Sequence, residues 1–280
     1  MKRLKTLTCS LGLVASFGLA QTRVDELRPL APGGVVEIHC ATGTVRVTGW
    51  ERPELHAGGW LGRGMDRIEV TGDPARTCIR VVFPARCTRC EGSDLVIRVP
   101  ATATLEIETG SADVDVQGVT GEVHLKSSSG ELRVAGAPRA LDARSDSGSV
   151  TVAPPAATPG TEEGGAGGAA AHWTTIQRCA VETGSGEIRL VSRLAPGASV
   201  TLTSVSGGIE VVLPADVEAS FDLRTTHGEI ENELHSDSHP VSQPAGAKEL
   251  RYTAGRGGSQ VVASSFSGHL RLRPPDPPPS

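Results

Sequence analysis

An elongated all-β solenoid of mostly parallel strands is the fold that this 280-residue sequence predicts, on three observations. A Ser/Thr-Gly-x-apolar-x-apolar phrase recurs seven times, at 42–47, 120–125, 129–134, 147–152, 185–190, 206–211 and 267–272. Two worn copies, SADVDV (111–116) and HGEIEN (227–232), fall in the gaps of that series. Aromatic residues make up only 3% of the chain while glycine numbers 34, so ladders of Val, Leu and Ile must build the core in place of large rings. A small turn followed by a period-two strand, repeated at a fixed spacing, marks stacked coils.

The chain opens with Lys2, Arg3 and Lys5 ahead of a mostly apolar stretch from Leu7 to Leu19. Gly18-Leu19-Ala20 fits a small-x-small cleavage site, so residues 1–20 are expected to be a signal peptide cut near Ala20. The stretch is too short to span a bilayer and no second one follows. Cys9 precedes the apolar core behind a poor lipobox, so no lipid anchor is expected. The destination is export: periplasm, cell surface or medium. Removing the three leader cations leaves 24 basic against 32 acidic residues, a net charge of −8. That excess argues against nucleic acid and anionic membrane surfaces, which need clustered cations.

Residues 21–32 read as an N-terminal extension and 33–272 as a single domain without substantial helices. Alternating strands are expected at 36–39 and 45–47, with a turn at 50–53. A weak strand near Leu55 passes into a glycine-rich loop, GGWLGRG at 58–64, before strands at 67–71, 78–83 and 95–99. The run 101–152 is the most regular. Its repeat positions 112, 121, 130 and 148 step by 9, 9 and 18, so two nine-residue units complete a coil. Positions 186, 207 and 228 step by 21, giving coils of 18–21 residues, and the step of 40 to position 268 spans two coils. Three segments interrupt the pattern. The Pro/Gly/Ala insert at 153–171 has nothing to bury. Residues 235–247 read as a protruding turn, and 273–280 as a proline-rich disordered tail.

Each repeat carries a turn glycine: Gly43, Gly121, Gly130, Gly148, Gly186, Gly207, Gly228 and Gly268. The expected reason is positive φ at a tight corner, with the preceding Ser or Thr bonding the turn backbone. The two apolar residues that follow should point inward and the residue between them outward. The expected core is therefore Val114, Val116, Val123, Leu125, Leu132, Val134, Val150, Val152, Ile188, Leu190, Ile209 and Val211. Ile188 and Leu190 should stack on Ile209 and Val211, leaving Arg189 and Glu210 outside.

Five cysteines follow the leader: Cys40, Cys78, Cys87, Cys90 and Cys179. Cys87-Thr-Arg-Cys90 lacks the helix start of a redox CxxC and the second CxxC of a zinc ribbon. In an exported chain the reading is a structural disulfide among Cys78, Cys87 and Cys90, most simply Cys87–Cys90. Asp113, Asp115, Asp142 and Asp146 could gather on neighbouring coils but read as solvating charge. Glu231, Glu233, His235, Asp237 and His239 alternate in a way that would suit a divalent metal, against the plainer reading of a polar turn. No nucleophile triad, P-loop or dinucleotide fingerprint is present. No catalytic residue, cofactor or metal site is assigned.

The strings VRVTGWERPEL (45–55) and LVIRVPATATLEIETGSADVDVQGVTGEVHLKSSSGELRV (95–134) resemble the DUF4097 family of adhesin-like, β-strand-repeat bacterial proteins. The likeness covers most of residues 33–272 and departs at the 153–171 insert and the cysteine cluster. It implies a right-handed β-helix-like fold on exported or membrane-tethered proteins, with no catalytic residues. The function expected is a non-catalytic envelope or surface protein that binds or scaffolds. Its partner would be an envelope or surface ligand, glycan or protein. The alternative is a carbohydrate-active β-helix enzyme of lyase or hydrolase type, for which the short turns and scarce aromatics are poorly suited.

Overall fold

The computed structural model describes residues 23–84, 90–154, 173–235, 238, 241–242 and 246–275. The expected leader, Cys87, nearly all of the 153–171 insert, Asp237, His239 and the last five residues lie outside it. No α-helix occurs among the described residues.

Two large sheets face each other. Sheet A has eleven strands. From one edge they are β1 (Arg23–Pro29), β4 (Glu54–Trp60), β7 (Ser93–Pro100), β3 (Gly43–Trp50), β9 (Asp113–Gln117) and β11 (Leu132–Ala135). Beyond them lie β13 (Val150–Ala153), β15 (Ile188–Val191), β17 (Ile209–Val212), β23 (Leu270–Arg273) and β19 (Ile230–Asn232). Sheet B has twelve strands, starting from β5 (Arg67–Gly72), β6 (Arg76–Val82), β2 (Val35–Cys40), β8 (Thr104–Thr109), β10 (Glu122–Ser127) and β12 (Ala140–Ser145). It continues through β14 (Thr175–Thr183), β16 (Arg193–Ser204), β22 (Ser259–Ser265), β18 (Ala219–Thr225), β21 (Lys248–Ala254) and β20 (Val241–Ser242).

From β7 to β18 the chain alternates between the sheets, and the strands of the central stretch pair in parallel. Val114, Leu132 and Val150 are in register at the 18-residue step, and Ile188 faces Ile209 at the 21-residue step. All twelve expected core residues are buried between the sheets. Arg189 and Glu210 point outward and pair at 3.3 Å.

The layer order departs from a uniform helix at both ends. β2 and β3 lie inside β6 and β7, so the second passage of the chain sits outside the first. At the other end β22 and β23 slot between β16/β17 and β18/β19. The 40-residue step from 228 to 268 therefore spans neighbouring layers in reversed order. Antiparallel pairs β1·β4, β4·β7, β5·β6, β18·β21 and β20·β21 make both sheets mixed. The physical reason lies at the edges, because an open parallel stack would end in rows of unpaired backbone groups. Here the outermost strands are short (β19, β20) or carry charges and a proline, as in RVDELRP of β1. β1 falls in the stretch expected to be an extension, and Gly58-Gly59-Trp60, expected in a loop, ends strand β4.

The repeat glycines also need a different explanation. Only Gly43 has the expected positive φ, +118°. At Gly130, Gly148, Gly186, Gly207, Gly228 and Gly268 the constraint is the next layer: an added Cβ would sit well under 3.0 Å from a backbone carbonyl there. Gly121 meets the same obstacle at Ala103. At five of these turns a hydroxyl three residues before the glycine secures the backbone. The Oγ atoms of Ser145, Ser204 and Ser265 accept from the N–H of Gly148, Gly207 and Gly268 at 2.8 Å. Thr183 and Thr225 do the same for Gly186 and Gly228 at 3.0 and 3.1 Å. These side chains form a buried polar row along one margin of the core. The serines immediately before the glycines donate across layers instead, as Ser147 does to the Ser128 carbonyl at 3.1 Å.

Candidate functional site

Two regions of the outer faces bring unlike chemistry together. The first lies on sheet A, where β1, β4, β7 and β3 are adjacent. Period-two alternation sends Asp25, Gly58, Val96 and Arg46 outward in one cross-strand row, flanked by the row of Trp60 and Asp94. Gly58 has no outward side chain, and its neighbours enclose a depression of about 440 Å3. The space is not forced by backbone geometry. A Cβ at Gly58 would meet His56 at 3.4 Å and the Val96 carbonyl at 3.5 Å, which is ordinary contact. Gly59 differs, with φ +143° and the Asp94 carbonyl blocking any side chain.

Trp60 stands at the rim with 47% of its surface exposed. Asp25 Oδ1 accepts from His56 Nε2 at 2.7 Å. That hydrogen bond, helped by the charges of His56 and Arg23, holds the Asp25 carboxyl below the ordinary carboxylate value. The Thr44 hydroxyl donates to Asp94 Oδ1 at 2.6 Å. Arg98 lies 6.0 Å from the Trp50 ring centre, a cation–π distance, and completes the wall. The result is an aromatic platform beside a small floor, ringed by charged donors and acceptors held in place.

The second region is the outer face of sheet B over β6, β2, β8, β10 and β12. Two rows of charge cross these strands, Cys78–Glu37–Glu106–His124–Asp142 and Arg80–His39–Glu108–Lys126–Arg144. Their members on β2, β8, β10 and β12 line a shallow depression of about 510 Å3. Lys126 pairs with Glu108 at 3.2 Å and Arg76 with Glu106 at 2.8 Å, while Arg76 also holds Glu37. Among the described residues, one group has the donor types and proximity of a metal set: Glu37, His39 and Cys78.

The cysteines are separated by strand parity. Cys40 and Cys179 are buried thiols, and Cys78, also free, is half-buried on the outward face of β6. Cys78 of the expected trio is thus a free thiol that alternation turns toward Glu37, while Cys87 lies outside the described residues. Cys90 is not a free thiol. Burial, followed by the charge of Asp142, pushes the Cys179 thiol up to about 12.

The four aspartates do not converge. Asp113 and Asp115 lie on sheet A, bound by the Glu131 N–H and the Gln117 amide at 2.9 Å each. Asp142 is on sheet B and pairs with Arg144 at 3.4 Å, and Asp146 is in a turn. Glu231 and Glu233 both pair with Arg271, at 2.9 and 3.2 Å, and the His235 ring packs 5.6 Å from Tyr252. Sequence reasoning passed over Trp60 and Gly58 by assigning them to a loop, and over Glu37 and His39 as ordinary alternation. The available signals were an exposed-parity Trp after two glycines and a Glu-x-His on one strand face.

The model of the family described as Toastrack DUF4097 matches residues 90–162, so the resemblance holds over that stretch. No curated protein matches the chain. A candidate adhesin from Bacteroides fragilis of solved structure is 10% identical with TM-score 0.46, covering 91% of this chain and 98% of that one. A candidate cell adhesion protein from Clostridium sporogenes is 10% identical with TM-score 0.35, over 91% and 100% of the two chains. A candidate adhesin from Parabacteroides distasonis is 12% identical with TM-score 0.33, over 90% and 97%. Among the described residues no helix is long and apolar enough to cross a membrane.

Proposed function

We propose that this is an exported, non-catalytic surface protein, a right-handed two-sheet solenoid that binds a saccharide in the depression beside Trp60. The observation that carries the reading is the pairing of an exposed indole with a side-chain-free floor at Gly58. An indole face offers a flat apolar surface to the C–H face of a sugar ring. Asp25, Asp94 and Arg46 surround it and supply the few placed polar groups that fix a small ligand's orientation. Hydrogen bonds to such charged groups are stronger than neutral ones. A Cβ would be tolerated at Gly58, so backbone packing does not by itself require glycine at the floor of the depression.

The enzyme alternative is less well supported. At this depression Asp25 does not have the raised pKa of a glycosidase's general acid, because His56 keeps it below the ordinary value.

A glycan array probed with the mature chain, followed by titration of the best-retained saccharide, tests the proposal. Trp60→Ala should weaken binding at least tenfold, and Gly58→Val should block it, both at wild-type melting temperature. Wild-type affinity in Trp60→Ala, or an array that retains nothing, refutes the binding site. Cleavage of the retained glycan refutes the non-catalytic assignment.

A further inference from the structure

The second region carries a different chemistry, independent of the saccharide site. Glu37 and His39 are two apart on β2 and share its outward face; Cys78 on β6 is directly opposite Glu37 in the parallel register. Their ligand atoms all lie within 4.8 Å of one another. The surroundings divide the work of each donor. Arg76 holds Glu37 through Oε1, while Oε2 faces His39 Nε2 at 4.0 Å. On the other side of the imidazole, Nδ1 faces Glu108 Oε2 at 3.6 Å. A carboxylate behind the second ring nitrogen is the usual partner of a metal-bound histidine, fixing its tautomer and raising its basicity. Cys78 adds a free thiol where the strand's alternation brings it to the surface.

We propose that Glu37, His39 and Cys78 form a Zn2+ site with three protein ligands and an open fourth position. One nitrogen, one oxygen and one sulfur donor suit this borderline ion. The thiol excludes the hard cations Ca2+ and Mg2+, which take oxygen ligands. Binding converts the Cys78 thiol to a thiolate and releases its proton to solvent, so one proton leaves per metal bound. The side chains close by about 1 Å to reach ordinary Zn–ligand distances, which rotamer changes at a half-exposed surface permit. The open position faces solvent on the charged side of sheet B, where a surface ligand's donor atom could complete the coordination.

The experiment uses the whole mature chain, stripped with chelator and titrated with Zn2+ and, separately, with Co2+ as a spectroscopic probe. One equivalent should bind, and the Co2+ form should show a thiolate-to-metal charge-transfer band. Cys78→Ser should abolish that band and weaken Zn2+ binding at least tenfold, and His39→Gln should weaken it similarly. Cys87→Ser/Cys90→Ser should keep both band and affinity. Should Cys78→Ser fail to fold, the band lost in a folded His39→Gln protein gives the same support. A wild-type protein without the band, or a band retained in both Cys78→Ser and His39→Gln, overturns the proposal.

Discussion

Two adjacent glycines should respond to the same substitution with opposite signs. At Gly207 an added Cβ would lie far inside contact distance of the Gly186 carbonyl in the next layer. At Gly208 the nearest atom would be the His269 carbonyl at 3.5 Å, an ordinary contact. Neither residue has positive φ, so intrinsic preference treats them alike. Gly→Ala at a compatible position stabilises by about 0.4–1 kcal/mol through the unfolded chain, which is the outcome expected for Gly208→Ala. In Gly207→Ala the layers must part by over an ångström. Overpacking of this kind costs about 1–3 kcal/mol. The parting also strains two bonds at the turn: Gly207 N–H to Ser204 Oγ at 2.8 Å and Ser206 N–H to the Gly184 carbonyl at 2.9 Å. Each contributes about 1 kcal/mol. Net of the entropic gain, Gly207→Ala should lose roughly 2–4 kcal/mol, and a domain of this size shifts by about 2–4 °C per kcal/mol. Thermal and urea melts of both variants decide the matter. A Gly207→Ala protein as stable as Gly208→Ala would show that the layers do not approach as closely as described.

Ile188 is fully buried against Ile209, so Ile188→Asp should cost at least about 4 kcal/mol by burying an unpaired charge; an unchanged melting temperature would refute the register. Peptide mapping under non-reducing conditions should place Cys87 and Cys90 in one disulfide and recover Cys40, Cys78 and Cys179 as thiols, whereas a disulfide containing Cys78 would contradict the parity of β6. Because the folded Cys179 thiol titrates near 12 against a usual 9.0, its contribution to stability should be full below pH 9 and decline as pH rises toward 12. The difference in melting temperature between wild type and Cys179→Ala should therefore shrink over that window, and a difference independent of pH would count against burial of the thiol.

The inward strands were legible because apolar alternation encodes only which face is buried, and that is all Val114, Leu132 or Ile188 must specify. Layer order is a different kind of information. Leu270 and Ile230 can both cover Ile209 with a branched aliphatic side chain, and nothing in either strand says which lies next to it. The reversal at the ends follows from how β20, β21 and β1 close the edges, a condition on the whole stack and on no single repeat. The turn glycines were visible but their cause was not, since Gly207 and Gly43 look alike in sequence while a neighbouring carbonyl alone constrains the first and both a neighbouring carbonyl and its own φ constrain the second. A finer reading was available in the recurrence of Ser or Thr three residues before the last five turn glycines, at 145, 183, 204, 225 and 265. Such a local side-chain-to-backbone bond works at a fixed spacing. The two candidate sites were hidden for a further reason. Gly58-Gly59-Trp60 has a weak strand propensity that pairing on both sides by β1 and β7 overrides. Cys78 meets Glu37 only because β6 returns to the outer flank of β2 after the detour through β3, β4 and β5. Both sites therefore sit where the repeat is broken: the regular coils supply a uniform scaffold, and the capping end supplies unlike side chains in positions that no repeat would bring together.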